Sequence, residues 1–336
     1  MTKEQLLDRS LGCIIGGAAG DALGYEVEFL SLAQIRARYA GGRIERYSAV
    51  PAHFSDDTQM TLFTAEGMVN AQERDYIAHI RKAYLDWFAT QTETMHRIDG
   101  SALAENAGLW HRRSPGNTCM TALSGINRGV EVHNFSKGCG GVMRVAPIGL
   151  YAAAHPDRLS VTDAGIVAAL AAEITHLHKA SSLASAMMAM LVAEFATANM
   201  RNIADIVDVI VNCLHSTLRT IPCDNEISSE FKRLILDALR LSMAVTPDEE
   251  AIRSLGEGWV GDEALAIALY CVARHFDDFE KCIVAAANHD GDSDSTAAIA
   301  GNLLGALRGI SAIPSHYIEG LEMTDVLTSM AQKLVD

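Results

Sequence analysis

Apolar residues recur at intervals of three and four along most of this chain, which is the spacing of one buried face of an α-helix. The segment 75–88 shows the pattern clearly, and Asp75 stands where an N-cap residue is expected. The apolar face of this segment consists of Ile77, Ile80, Tyr84, Trp87 and Phe88. The segments predicted to be helical are 4–24, 56–70, 76–90, 118–129, 161–175, 180–198, 203–219, 226–242, 262–276, 278–288, 294–308 and 324–335.

Alternation of the kind that predicts a β-strand is short and rare, and the best example covers residues 44–50. Helices without a sheet predict an all-α bundle. The 336 residues include no Pro- or Ser-rich linker, no long run of like charges and no low-complexity stretch. We therefore expect one compact multi-helix domain over residues 1–336, although the length alone also allows two domains.

The first predicted helix carries glycine at every fourth position, at Gly12, Gly16, Gly20 and Gly24. Each glycine inside a helix costs up to about 1 kcal/mol relative to alanine, so a compensating contact is expected. A bare ridge of this kind predicts that another helix crosses it backbone to backbone. A dinucleotide-binding loop is the alternative for these glycines, but no strand precedes them.

Two acidic clusters stand at the starts of predicted helices. The first is 55–58 (Ser-Asp-Asp-Thr), and the second is 290–296 (Asp-Gly-Asp-Ser-Asp-Ser-Thr). Helix capping explains one or two of these side chains. Because three aspartates within five residues repel one another unless a cation lies between them, a metal site is the second explanation. The residues alone leave both explanations open.

The donors in these clusters indicate which cation they suit. Carboxylates and hydroxyls are hard oxygen donors, which select Mg²⁺, Mn²⁺ or Ca²⁺ over Zn²⁺. An EF-hand loop that begins at Asp290 is excluded, because Ser295 replaces its central glycine and Gly301 replaces its final glutamate. Carboxylates from two parts of the chain are enough to hold two divalent ions, which orient hydroxyl groups and lower the pKa of a bridging water. A metal centre of this kind is typical of hydrolases.

Charge and cysteine content narrow the class of protein. The formal net charge is -15, from 27 Lys and Arg against 42 Asp and Glu, so we expect no binding to nucleic acid. The 7 cysteines include no C-x-x-C pair, which favours free thiols in a reducing compartment. The polar start, 1–5, is a poor signal peptide, and the apolar run 11–23 is too short to span a membrane. We expect a cytoplasmic protein without membrane contact and, since no apolar stripe marks an interface, a monomer.

Six segments resemble the ADP-ribosylglycohydrolase family, which includes the dinitrogenase reductase-activating glycohydrolases, and they do so in the family's order. The first, 20–29, is similar to the family's G-D-A-L-G-x-x-x-E-F, and 55–58 is similar to its T-D-D-T. The others are 113–118 (R-S-P-G-N-T), 136–144 (S-K-G-C-G-G-V-M-R), 175–176 (T-H) and 291–295 (G-D-S-D-S). Any one of these motifs is weak evidence, but the ordered set is specific.

The resemblance implies an all-α hydrolase that uses two divalent cations, Mg²⁺ or Mn²⁺, to release ADP-ribose from modified protein side chains, with arginine as the expected acceptor. The metal ligands that it implies are Ser55, Asp56, Asp57, Asp292, Asp294 and Ser295. Glu28 is implied as a ligand or as the general acid/base, and Asp57 is the alternative proton carrier, through a metal-bound water. The residues implied to line the ADP-ribose pocket are Gly116, Asn117, Ser136, Lys137, Gly138, Cys139, Gly140 and His176.

Other functions of the same site stay open at this point. One is hydrolysis of serine-linked or poly-ADP-ribose. Another is binding of ADP-ribose without cleavage, which the complete acidic set argues against. A third is neutralisation of a partner by occlusion, with a cognate ADP-ribosyltransferase toxin as the candidate partner. Substrate panels and metal-site variants distinguish these functions.

The chain departs from the family pattern at four positions. Serine replaces threonine at 55, 293 and 295, and a serine hydroxyl still coordinates a cation but has freer rotamers. Cys139 replaces an asparagine, and it has no evident base partner that would make it a nucleophile. Asp21 is expected to be a buried hydrogen-bonding residue or to lie behind the metal ligands. Structural roles are expected for Arg144, His178, His289 and Asp278.

Overall fold

The computed structural model describes residues 1–200 and 202–336, and its helices confirm the all-α prediction. The α-helices of the described residues are α1 (Lys3–Tyr25), α2 (Leu32–Arg38), α3 (Asp56–Asn70), α4 (Tyr76–Thr92), α5 (Asn117–Asn127), α6 (Ala146–Ala154), α7 (Val161–Glu173), α8 (Lys179–Thr197), α9 (Ile203–Thr220), α10 (Asn225–Ser242), α11 (Asp248–Leu255), α12 (Gly261–Arg274), α13 (Phe279–Ala287), α14 (Ser293–Arg308), α15 (Ser315–Glu319) and α16 (Thr324–Lys333). Every segment predicted to be helical overlaps one of these helices. The sequence pattern missed the short helices α2, α6, α11 and α15.

The strand-like alternation at 44–50 does not form a strand. The described residues form only two isolated β-bridges, Ala52 with Leu321 and Gly138 with Val260. Ile44 is buried, and its backbone pairs with a side chain instead of a strand: its N–H donates to Asn288 Oδ1 at 2.8 Å and its carbonyl accepts from Asn288 Nδ2 at 2.9 Å. An asparagine that satisfies both backbone groups removes the need for a β-ladder partner.

Helices α1 and α14 run antiparallel with their backbones in contact, as the glycine ridge predicts. A Cβ built on Gly12 would lie 2.5 Å from the carbonyl oxygen of Gly305, and one built on Gly16 would lie 2.7 Å from that of Gly301. At the other end of the ridge, Gly24 meets the carbonyl of Ser293. None of these ridge positions has room for a Cβ. Because the helices are antiparallel, the C-terminal end of α1 lies beside the N-terminal end of α14.

Helix α8 lies at the centre of the bundle. Among the described residues, it is the one helix that is long and apolar enough to cross a membrane. However, 89% of its apolar stretch is buried inside the protein. It packs against α6, α7, α9, α12 and α14. This burial is what a central core helix requires, and the buried apolar side chains around it form one continuous cluster.

Helix α4 packs its apolar face against α3 and thereby fixes the start of α3. Trp87 is fully buried and donates its indole N–H to Gln59 Oε1 at 3.1 Å. The predicted cap at Asp75 is only positional, since its side chain makes no capping hydrogen bond. Its carbonyl instead bonds to the ring of His79, at 2.8 Å from Nδ1.

Candidate active site

The two acidic clusters stand at the N-terminal ends of α3 and α14, and capping accounts for one residue of each. Ser55 is the N-cap of α3, where its Oγ accepts from Asp57 N at 3.2 Å. Asp292 is the N-cap of α14, where its carboxylate accepts from Ser295 N at 3.3 Å. Asp56 and Asp294 are buried as well, although neither residue is the N-cap of its helix. Capping therefore does not explain the burial of the remaining carboxylates.

Asp21, on α1, bonds directly to the start of α3. Its carboxylate is fully buried and accepts from Ser55 N at 2.8 Å, from Thr58 N at 2.9 Å and from the Thr58 hydroxyl. Burial raises the pKa of Asp21 to about 6, although these hydrogen bonds oppose the shift. The expectation that Asp21 is a buried hydrogen-bonding residue is confirmed. It holds the first cluster against the glycine-rich helix.

Carboxylates from three parts of the chain lie close enough to raise one another's pKa. Burial, and then the charges of Asp292, Asp56 and Asp21, raise the pKa of Glu28 to about 8. Burial also raises the pKa of Asp56 to about 8, against the hydrogen bond that its Oδ2 accepts from Gly116 N at 3.2 Å. These groups resist ionisation together because they are removed from water and repel one another.

The two central aspartates show the same effect more strongly. Burial, followed by the charges of Asp21, Asp56 and Asp292, raises the pKa of Asp57 well above its usual range. Burial, followed by the charges of Asp57, Asp292 and Glu28, does the same for the pKa of Asp294. Burial and the mutual repulsion of the carboxylates shift these pKa values most. No lysine or arginine is among the groups with the largest effects. A bound cation would relieve this repulsion.

Two buried oxygens of this acidic site have no hydrogen-bond partner among the described residues, Glu28 Oε2 and Asp57 Oδ2. Glu28 is 9% exposed and Asp57 is 3% exposed. A buried carboxylate oxygen without a hydrogen-bond partner destabilises the fold. Oxygens that coordinate a cation are expected to lack protein partners in this way when the cation is absent. As the side chains of the described residues stand, no three His, Cys, Asp or Glu groups converge on one ion. The residues therefore fit a hard cation only if hydroxyls, carbonyls and water complete its coordination, as Mg²⁺ commonly allows.

The loop before α5 reaches this site from one side. Gly116 is the N-cap residue of α5 and has no side chain to cap it, and Gly116 and Asn117 are exposed there. An open helix N-terminus favours anions. The loop is anchored from behind by Arg113, which donates to Glu322 Oε1 at 2.7 Å and to the Phe54 carbonyl at 3.1 Å.

The loop 136–141 reaches the site from the other side. The hydroxyl of Ser136 lies 3.1 Å from that of Thr118, which joins this loop to α5. Lys137 is exposed, and its carbonyl accepts from Gly261 N at 2.8 Å. A Cβ on Gly138 would lie 3.1 Å from His176 Nε2, and one on Gly140 would lie 2.9 Å from the same ring. The two glycines thus allow the imidazole to pack directly against the loop.

Cys139 contacts the acidic site more closely than the sequence indicates. Its thiol pKa is raised well above the usual range by burial, then by the charges of Asp292 and Asp57, and its side chain also interacts with Ser295. A thiol held in its neutral form is a poor nucleophile. This environment agrees with the expectation that Cys139 is not a nucleophile.

His176 is buried and neutral. Burial, and then the positive charge of Arg144, lower its pKa to about 3. Its Nδ1 lies 2.8 Å from Thr175 Oγ1. Arg144 donates to that same hydroxyl oxygen at 2.8 Å and to the Ala171 carbonyl at 3.1 Å, so its predicted role as an internal anchor is confirmed.

Comparison with known proteins identifies the family of the chain. The family model of the ADP-ribosylglycohydrolases matches residues 2–336. The chain belongs to the ADP-ribosylglycohydrolase family. Members of this family are hydrolases that act on ADP-ribosylated proteins and release ADP-ribose.

Two curated relatives match this ADP-ribosylglycohydrolase over most of their length. The ADP-ribosylarginine hydrolase Tri1 of Pseudomonas putida is 28% identical over 343 residues, which cover 100% of this chain and 80% of the relative. The ADP-ribosyl-[dinitrogen reductase] glycohydrolase of Rhodospirillum rubrum is 25% identical over 338 residues, which cover 96% of this chain and 93% of the relative. A solved structure titled an ADP-ribosylglycohydrolase-related protein complex superimposes with a TM-score of 0.71 at 23% identity, covering 99% and 98% of the two chains. That likeness shows the shared fold.

The sequence patterns did not predict two features of the candidate site. Phe29 and Trp259 are 71% and 40% exposed and stack on each other beside Glu28, with ring centroids 6.4 Å apart. Asn134 braces the loop next to His176, since its Oδ1 accepts from Ser136 N at 3.1 Å. The exposed aromatic at 29 was already visible within the 20–29 motif, but no local pattern indicates its contact with residue 259.

The remaining predicted residues have structural roles. His178 is the N-cap of α8, where its ring accepts from Ala180 N at 3.1 Å. His289 Nε2 lies 2.9 Å from Thr296 Oγ1 within the α14 turn. Asp278 caps α13 through Lys281 N at 3.0 Å, as expected.

Proposed function

We propose that this ADP-ribosylglycohydrolase hydrolyses the N-glycosidic bond between ADP-ribose and the guanidinium of arginine in modified proteins, with two divalent cations, Mg²⁺ or Mn²⁺. The observation that carries the proposal is the buried group of carboxylates from α3, α14 and Glu28, in which two oxygens have no hydrogen-bond partner among the described residues. The full-length similarity to an ADP-ribosylarginine hydrolase supports arginine as the acceptor.

The residues that would hold the cations are Ser55, Asp56, Asp57, Asp292, Asp294 and Ser295. Bound there, the cations would neutralise the acidic site and supply Lewis acidity toward ribose hydroxyls and a water. Asp21 holds the start of α3 in place through its bonds to Ser55 and Thr58. The close α1–α14 packing sets the distance between the two helix N-termini.

Glu28 is the group that we assign to proton transfer. Within the part of the chain that the structure describes, its Oε2 has no hydrogen-bond partner, so it is able to take a proton from water and return it to the leaving guanidinium. The positive charge that develops on the ribose in the transition state is stabilised by the surrounding carboxylates.

The ADP-ribosyl group would lie between the loop before α5 and the loop 136–141. The N-terminal N–H groups of α5 and the backbone of the glycine loop are suited to a diphosphate without basic side chains. This arrangement reconciles a chain with net charge -15 with an anionic ligand. The free cysteines support a reducing compartment, and we propose the cytoplasm.

The test is release of ADP-ribose from an arginine-ADP-ribosylated protein with Mg²⁺ or Mn²⁺, and again with EDTA. We expect release that depends on metal and is lost in Asp294→Ala. Asp290→Asn is the matched control, since Asp290 lies in the same loop but bonds to Leu32 N at 2.8 Å, outside the acidic site. Wild-type turnover by Asp294→Ala would overturn the site assignment, and release only from serine-linked or poly-ADP-ribose would overturn the acceptor.

A further inference from the structure

Arg144 is a fully buried cation for which the described part of the chain provides no carboxylate partner. Its guanidinium lies 4.2 Å from the centroid of the Tyr84 ring. It donates to the Ala171 carbonyl at 3.1 Å and to Thr175 Oγ1 at 2.8 Å. Burying a charge without an ion pair is costly, so this residue needs a reason beyond packing.

The hydrogen bonds of Thr175 determine where its hydroxyl proton points. Arginine only donates, so Thr175 Oγ1 accepts from Arg144. The hydroxyl proton then has three candidate acceptors, the Ala172 carbonyl at 3.5 Å, the Cys119 sulfur and His176 Nδ1 at 2.8 Å. The Ala172 carbonyl already accepts from Thr175 N at 3.0 Å and from His176 N at 2.9 Å. The hydroxyl therefore donates to His176 Nδ1, which is the nearest of these acceptors. If Nδ1 donated instead, the hydroxyl proton would be left with the 3.5 Å contact or with sulfur, which is a weak acceptor.

This bond fixes the tautomer of His176. A ring nitrogen that accepts a hydrogen bond carries no proton, so the single proton of the neutral ring lies on Nε2. Nε2 faces the glycine loop, because a Cβ built on Gly138 or Gly140 would lie 3.1 or 3.2 Å from it. None of the described residues accepts a hydrogen bond from Nε2. The opposite tautomer would present a lone pair there and would repel an anion.

We propose that Arg144 is a positioning residue that acts through Thr175 to hold His176 as the Nε2–H tautomer, so that the ring donates a hydrogen bond to a phosphate-bearing ligand at the loop 138–140. The nature of the ligand rests on the proposed function, but the tautomer does not. Arg144 thus contributes to ligand binding without touching the ligand.

The tautomer is measured by two-bond ¹H–¹⁵N correlation NMR on the ¹⁵N-labelled full chain at neutral pH. The His176 ring is assigned by the loss of its signals in His176→Asn. We expect the Nε2–H pattern in the wild type and in Thr175→Ser, which keeps the hydroxyl. In Thr175→Val, which keeps the shape, the Nδ1–H form should appear. An Nδ1–H ring in the wild type, or an unchanged pure Nε2–H ring in Thr175→Val, would overturn the proposal.

Calorimetry with ADP-ribose tests the consequence for the ligand. Thr175→Val should weaken binding roughly ten- to hundredfold, the range for a hydrogen bond to a charged group, and Thr175→Ser should restore it. Thr217→Val is the matched control, because among the described residues that buried hydroxyl makes its side-chain hydrogen bond to Met190 Sδ, at 3.6 Å, away from the candidate site. Unchanged binding in Thr175→Val, or an equal loss in Thr217→Val, contradicts the proposal. If no ADP-ribosyl substrate is cleaved while the Nε2–H pattern is present, the proposed function fails and the tautomer assignment stands.

Discussion

The carboxylate of Asp21 accepts hydrogen bonds from both the backbone N–H and the hydroxyl of Thr58, so the end of α1 is bonded to the first turn of α3. A third bond, from Ser55 N, occupies the other carboxylate oxygen. Both acidic clusters are thus held in place by α1. The carboxylate of Asp21 holds the first cluster, and the glycine ridge packs against the helix that carries the second. The relative position of the two clusters depends on α1.

Asp21→Asn should lower the free energy of unfolding by about 1–3 kcal/mol, because the amide nitrogen would face a backbone N–H that now has an acceptor. Urea denaturation measures the change. Thr58→Ser keeps the hydroxyl and the N–H, and should cost less. Stability equal to the wild type in Asp21→Asn would show that these bonds do not hold α3.

Gly305→Ala should destabilise the protein by about 3 kcal/mol or more, because its methyl group would overlap the backbone of Gly12 in an interface that cannot separate locally. Thermal and urea unfolding measure the effect. Gly125→Ala is the matched control on α5, where the nearest atom to a new Cβ is the Val130 carbonyl oxygen at 3.8 Å. There, helix propensity predicts a gain of up to about 1 kcal/mol. Equal effects in the two variants would contradict the backbone-contact interpretation.

Glu28→Gln should lower kcat by roughly 10²- to 10⁴-fold if Glu28 moves the proton. The amide keeps the size of the side chain, so the rise in Tm on addition of Mg²⁺ should persist. Asp294→Asn should lose both the turnover and most of the Tm rise. The comparison requires single-turnover rates and thermal shifts on the same preparations. Loss of the Mg²⁺ response in Glu28→Gln would instead make Glu28 a ligand.

The metal-free protein should lose stability as pH rises from about 4 to about 8. Burial and mutual repulsion raise the pKa of Glu28 and of Asp56 to about 8 in the folded chain, from ordinary values of 4.5 and 3.8. A raised carboxyl pKa means that the folded state holds its proton more tightly than the unfolded state. This contribution is therefore favourable at low pH and disappears as pH passes through the folded pKa.

Thermal unfolding in EDTA at pH 5.5 and at pH 8 checks this dependence, and Mg²⁺ should raise Tm more at pH 8, where fewer protons compete for the carboxylates. Asp57→Asn should flatten the pH dependence measured in EDTA. A Tm rise with Mg²⁺ that is the same at both pH values would show that these carboxylates do not bind the cation.

The chemistry of this site was more visible in the sequence than its assembly. The glycine spacing predicted a close helix crossing, but not that the partner is α14, because nothing local relates Gly12 to Gly305. The bond between Arg113 and Glu322 joins residues far apart in sequence and has no periodic signal. Helix α6 was missed because it is apolar on all sides and therefore shows no face. The relative position of distant helices is determined by their packing against each other, and the sequence of one segment alone does not reveal it.

The pairing of α1 with α14 also has a consequence for how the protein is made. Glu28 and the start of α3 are synthesised well before Asp292 and Asp294. Until α14 emerges, the bare ridge of α1 has no partner, and the two halves of the site are apart. The proposed site is therefore complete only once α14 has been added to the chain and has packed against α1.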